Sequence, residues 1–278
     1  MGKRDIRSIS DRLERAAIRF LKPISQRLSG SGADREYVFI AGMQRSGTNM
    51  VMEVLERSFL TDVYHETDPR AFDDYSMRER AVIHQLAGRS RAPYFIIKAL
   101  LELDQLRSLM DEFTPAKTVW ILRNVNDTVN SATASFSDFS ARLGRMQTDR
   151  MSDGWHGRGM SDETYAYIKS LYHPDINEAS AAAMMWYYRN ILFFEQGLDK
   201  DPRVLLTRYE KLVTQPQEEF ARIFAFLGIP YSPWVSHRVF ASSIRSRPAP
   251  PIDAEIFALC RGLSERFEAL SETSHRGN

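Results

Sequence analysis

Gly42 and Gly47 bracket Met43-Gln44-Arg45-Ser46, and Thr48 and Asn49 follow at once. Glycine admits the backbone angles that turn consecutive amides inward, and a turn opening a helix gathers partial positive charge. A loop of this kind holds a phosphate. Gln44, Arg45, Ser46, Gly47, Thr48 and Asn49 therefore form a candidate anion cradle with Arg45 as its cation. The spacing matches the Gly-x-x-x-x-Gly of nucleotide-binding loops, but a triphosphatase places Lys directly after the second Gly, where this chain has Thr48. A cation before that glycine suits a nucleotide with one 5'-phosphate bearing the group to be transferred. Mg-ATP chemistry is poorly supported.

A second anion site is readable further on. Arg123 ends an apolar run, and Ser131 follows eight residues later. Asn126 or Asp127 suits the cap of an intervening helix, which puts Ser131 in its early turns. Arg offers bidentate charge-assisted bonds and Ser one more donor. Two separated sites are what a nucleotide phosphorylated at both its 5' and 3' positions requires.

The elements that must position these residues show in the apolar pattern. Tyr37–Ala41, Tyr94–Ile97, Val119–Leu122 and Val204–Thr207 read as strands buried on both faces, with Asp62–His65 a weaker fifth. Met50, Val51, Val54 and Leu55 share one helical face, and Leu103, Leu106, Leu109 and Met110 another. Ala179–Gln196 is apolar nearly all round and predicts a buried central helix. This alternation predicts an α/β fold, a P-loop-like parallel sheet of about five strands with helices on both faces. Ligands of such sheets sit at the carboxyl ends of the strands. Residues 137–178 are polar, contain Gly144, Gly154, Gly157 and Gly159, and read as an insertion, either a lid or an exposed loop. Within it Trp155, His156 and Arg158 are candidates to line an acceptor site.

The 278 residues fit one large domain, 33–278, preceded by an N-terminal helix and linker, 1–32. A net charge of +1 excludes a general nucleic-acid binder. Cys260 is the only cysteine, so no intrachain disulfide forms and nothing points to an oxidising compartment; a cytoplasmic location is expected. Six scattered His without metal-ligand spacing predict no metal site. No apolar run reaches membrane-spanning length. Residues 3–28 carry eight bases against three acids and an apolar stripe, Ile6, Ile9, Leu13, Ala17, Phe20, Ile24 and Leu28. A basic amphipathic helix of this kind can lie at the periphery of an anionic membrane; the competing reading packs it on the domain with its basic face solvated. The linker is Ser29-Gly30-Ser31-Gly32.

These segments resemble the sulfotransferases that use 3'-phosphoadenosine 5'-phosphosulfate (PAPS). That family's 5'-phosphosulfate loop reads Pro, Lys or Arg, Ser or Cys, Gly, Thr, then Thr or Ser, and Gln44–Asn49 is similar apart from Gln for Pro and Asn for the last hydroxyl. Its 3'-phosphate motif has the Arg123–Ser131 spacing. Phe95-Ile96-Ile97-Lys98 is similar to its strand ending in Lys near the sulfuryl group. Leu205–Val213 and Phe226-Leu227-Gly228-Ile229 are similar to its Arg-Tyr-Glu-Asp-Leu segment and Phe-Leu-Gly ending. The likeness spans about residues 37–230. It implies transfer of a sulfuryl group to a hydroxyl or amine without a required metal, with Arg45 and Lys98 on the leaving oxygen.

Leu100 stands where the eukaryotic cytosolic branch has its catalytic His, so the resemblance is closer to the bacterial and carbohydrate-type branches, which use a carboxylate base. Glu66 is the favoured base, and His65 the alternative. The C-terminal Arg-Lys-Gly segment is missing; Arg245 and Arg247 are candidates to replace it as a phosphate clamp. The acceptor stays open among small molecules, glycans, peptides and lipid headgroups, as does the oligomeric state. Two rivals are a P-loop kinase or NTPase and a non-catalytic nucleotide-binding adaptor at a membrane.

Overall fold

In a computed structural model, the described residues are 14, 16–18, 20–27, 35–239, 244 and 247–275, with side chains described through residue 270. The Ser29–Gly32 linker and Arg245 lie outside them. Five parallel strands form one sheet in the order β2-β5-β1-β6-β7. They are β1 (Glu36–Ala41), β2 (Thr61–Tyr64), β5 (Tyr94–Ala99), β6 (Ala116–Leu122) and β7 (Val204–Arg208); β3 (Phe72–Asp73) and β4 (Ser76–Met77) make a separate small ribbon. All five expected strands are present, the weak one included.

Alternation along β1 explains why both faces are covered. Val38 and Ile40 pack with Ile96, Val119 and Ile121 against α1 (Thr48–Glu56). Two C-terminal helices, Tyr209–Thr214 and Pro216–Leu227, complete that layer. Phe39 and Ala41 point the other way, with Phe95, Ile97, Trp120 and Leu122. There they meet the central helix Glu178–Asn190 and the helix Ala254–His275. The predicted central helix is buried as expected, but Ile191 separates it from a last turn, Leu192–Glu195. β1 and β6 sit side by side, yet the helices after them lie on opposite faces. Their connections diverge there and leave a crevice beyond the strand ends, the usual ligand position in such sheets.

Residues 137–178 are more ordered than their polarity suggests. They form helices Phe139–Met146 and Asp162–Leu171, and bury Phe139, Leu143, Met146, Met160 and Ile168 in the larger core. Glu178, in the first turn of the central helix, accepts from the amides of Phe139 and Ser140 at 2.9 and 3.0 Å. This bond fixes where the insertion begins.

His156 is buried within this segment as a neutral ring. Its Nδ1–H donates to the Asp153 carbonyl at 2.9 Å, and Nε2 accepts from Arg142 at 2.7 Å. Burial pushes the imidazole down to about 4, and the Arg142 charge acts in the same direction. The unfolded chain protonates near 6.5 while the folded one refuses the proton, so stability rises with pH between about 4 and 6.5. Acidifying across that window should cost about 3 kcal/mol from this group alone. A His156→Gln protein should show a shallower fall in Tm over the same range; an unchanged slope would mean that folding does not shift the proton affinity of the ring.

The described residues of the N-terminal segment up to Arg27 are helical and dock against α1 and the edge strand β2; Ile6, Ile9, Leu13 and Leu28 of the apolar stripe lie outside the described residues. Lys22 donates to the Glu56 carbonyl at 2.7 Å and Gln26 to the carbonyls of Phe59 and Thr61 at 3.1 and 3.0 Å.

Candidate active site

Beyond β1 the chain turns through Gly42, whose φ of 144° and contact with the Ile121 carbonyl leave no space for a Cβ. Arg45 is held left-handed at φ 71°, a costly conformation for a side chain with a Cβ. Gly47, φ 101°, begins α1 without any side-chain cap, so the amides of that turn stay available to an anion. A Cβ on Gly47 would strike the ring of Tyr209, which also lies under the Arg123 guanidinium at 4.3 Å. One aromatic ring thus braces both candidate anion sites.

The two sites meet. Arg45 Nε donates to Ser131 Oγ at 2.9 Å, and Arg123 donates to the Arg45 carbonyl at 3.0 Å. Arg123 is held from behind, because Trp186 of the central helix donates its indole N–H to the Arg123 carbonyl at 3.0 Å. The helix carrying Ser131 is Val125–Thr133, and its cap is Asn124, which accepts from the Asn126 amide. The expected cap at Asn126 or Asp127 is therefore displaced, because the chain enters the helix one residue after Arg123.

A cleft of about 670 Å³ connects these groups. Gln44, Arg45, Gly47, Thr48, Asn49, Glu66, Lys98, Arg123, Ser131 and Arg247 all line it. Ser46 does not; its hydroxyl is buried under the loop without a hydrogen-bond partner among the described residues. Arg247 enters from the C-terminal side and donates to the Asn130 carbonyl at 3.1 Å.

Lys98 is 1% exposed and lies in β5 opposite Ile40, on the face of α1. Its ammonium donates to Glu66 Oε1 at 2.6 Å and to Asn49 Oδ1. Burial draws the Lys98 pKa below its ordinary value, and the Glu66 carboxylate opposes that shift. Glu66 Oε2 is buried and lacks a hydrogen-bond partner among the described residues. His65 points elsewhere, toward Glu56 at 3.6 Å, and borders a neighbouring cleft with Asp68 and Arg70. The two candidate bases are adjacent in sequence and separated in space.

Trp155, His156 and Arg158 do not line the cleft. Arg158 pairs with Asp104 at 2.9 Å, and Trp155 lies beside the buried Arg189. Arg189 donates to the carbonyls of Leu100 and Leu101 and so steadies the loop that follows Lys98. Tyr209, Asn130 and Phe136 also border the cleft, and sequence reasoning did not single them out as site residues. Tyr209 carried one usable signal: an aromatic directly after a strand-ending Arg.

No protein of curated function matches the sequence. A sulfotransferase from Alicyclobacillus acidocaldarius superimposes with a TM-score of 0.52 at 18% identity, covering 85% of this chain and 95% of that one. A sulfotransferase domain from the curacin biosynthetic pathway gives 0.48 at 15% identity over 83% and 98% of the two chains. A mouse sulfotransferase complexed with PAP gives 0.43 at 19% over 81% and 71%. The Sulfotransferase domain profile matches residues 35–247, which run from the first strand to the arginine that closes the cleft. The chain belongs to the sulfotransferase domain family.

Proposed function

We propose that this protein transfers the sulfuryl group of PAPS in line to an acceptor hydroxyl or amine, with residues 33–278 as the catalytic domain. The observation that carries the reading is the Arg45–Ser131 bond at 2.9 Å with Arg123 fixed to the same loop. Two distinct groups of anion ligands, one after each strand, then border one cleft, which supports binding of a single adenosine phosphorylated at both positions. Gln44 to Asn49 take the 5'-phosphosulfate; Arg123 and Ser131, with Arg247 closing over them, take the 3'-phosphate.

An acceptor oxygen attacks sulfur as the bond from sulfur to the 5'-phosphate oxygen breaks. Adenosine 3',5'-bisphosphate (PAP) leaves with the electron pair, and the acceptor proton passes to Glu66. Arg45 and Lys98 stabilise the charge on the leaving oxygen. The free oxygen of Glu66 favours it over His65 as base. The 137–178 insertion follows directly on Phe136 at the rim of the cleft, and its named polar residues are engaged elsewhere. A lone, buried Cys260 suits a reducing cytoplasm.

Calorimetry provides the test. PAP should bind, and Ser131→Ala should weaken it roughly tenfold, the size of one charge-assisted hydrogen bond. AMP, which lacks the 3'-phosphate, should bind the two proteins equally. Absence of PAP binding to the folded protein would defeat the reading; tight PAP binding without transfer to any acceptor would favour the non-catalytic adaptor.

A further inference from the structure

The N-terminal helix is docked the wrong way round for a helix held by its apolar stripe. Glu14, Lys22 and Gln26 face the domain, where Glu14 pairs with Arg57 and Arg238, and Lys22 and Gln26 reach backbone carbonyls of the α1–β2 connection. Among the described residues of this helix only Ile18 joins them as a buried apolar residue. The described part of the stripe, Ala17, Phe20 and Ile24, is outside, with Leu21 beside it. Phe20 is 71% exposed, Leu21 49% and Ile24 43%, and Ala17 is exposed beside them. These positions follow the i, i+3, i+4, i+7 spacing of one helical face. Phe20 is the most exposed large apolar side chain among the described residues. Hydrophobic exposure organised along one helix marks a surface that another phase or molecule covers.

The surrounding charge selects the occupant. Of the eight bases in residues 3–28, Lys22 is turned inward; Arg27 is exposed, and among the three acids Glu14 is already paired with two arginines. A cation-rich segment beside an outward apolar stripe matches the interface of an anionic bilayer, where rings and branched chains enter the headgroup boundary and arginines meet lipid phosphates. A second copy of the chain fits less well. A stable protein interface needs about 800 Å² per partner, and four side chains on two helical turns fall well short of it. No helix among the described residues is long and apolar enough to cross a membrane, so contact would be peripheral.

We infer that the outward Ala17-Phe20-Leu21-Ile24 face seats this enzyme on anionic lipid surfaces, held there by its own polar docking to the catalytic domain. The inference is independent of the reaction assigned above. The full chain should co-sediment with vesicles of equal parts phosphatidylcholine and phosphatidylglycerol, on the order of tenfold more than with phosphatidylcholine alone. Added salt should reduce the difference. A Phe20→Glu, Ile24→Glu protein should lose sedimentation while keeping its Tm and its affinity for PAP. Equal binding to both vesicles, binding to neither, or retention by the double variant would each overturn the inference. So would a dimer formed without lipid and abolished by the same substitutions, which would assign the face to a second copy.

Discussion

Replacing Arg45 with Ala should lower kcat by about 10³-fold or more, the scale set by removing an arginine from a transferring group. The fold should survive. Arg45 is exposed, and Ala keeps the Cβ that already bears the cost of φ 71°, so the backbone strain is unchanged. What disappears is the guanidinium, which bonds Ser131 and faces the cleft. In the proposed reaction that cation would meet the charge developing on the leaving phosphate oxygen, where a fixed donor acts without reorganisation. Single-turnover transfer from labelled PAPS, read beside a thermal melt, is the measurement. Near-normal turnover in a folded Arg45→Ala protein would remove Arg45 from the chemistry and leave it a binding residue.

Glu66→Gln should be nearly as damaging, with kcat reduced roughly 10²–10⁴-fold. Gln keeps an oxygen that can accept from Lys98, so that ammonium retains a partner at 2.6 Å in the parent. It cannot take a proton. The loss should fall on kcat and leave PAP affinity within a factor of a few, because Glu66 as the proposed base meets the acceptor proton rather than the nucleotide phosphates. His65→Gln is the matched control and should be close to normal, since His65 faces Glu56. If His65→Gln were the impaired enzyme and Glu66→Gln normal, the base assignment would reverse.

The sheet was legible because buried parallel strands need continuous apolar runs, and β1, β5, β6 and β7 have them. β2 shows only Val63 and Tyr64 as apolar residues, yet it pairs with β5 across four positions, so tertiary pairing overrides its weak pattern. The anion loop was legible from glycines whose role is steric and local. The Arg123–Ser131 pair was legible from spacing, but its helix cap was misplaced by two or three residues because Asn124, Asn126 and Asp127 all suit a cap. What sequence did not reveal is contact between distant segments: Tyr209 beneath Arg123, Trp186 behind it, and Arg189 on the loop after Lys98. Nor did polarity reveal the helices of 137–178. Their apolar residues are sparse because the helices are short and bury one narrow stripe each.

The ring of Tyr209 has an implication for biosynthesis. It fills the space that the missing side chain of Gly47 leaves, and supports Arg123 from below. The donor-gripping turn is translated within the first fifty residues, but the piece that wedges it arrives more than 150 residues later. A ribosome-bound chain ending before that tyrosine carries every anion ligand from Gln44 to Ser131 without the brace beneath them. Capture of the proposed nucleotide should therefore await completion of the last sheet strand and the helix that follows it.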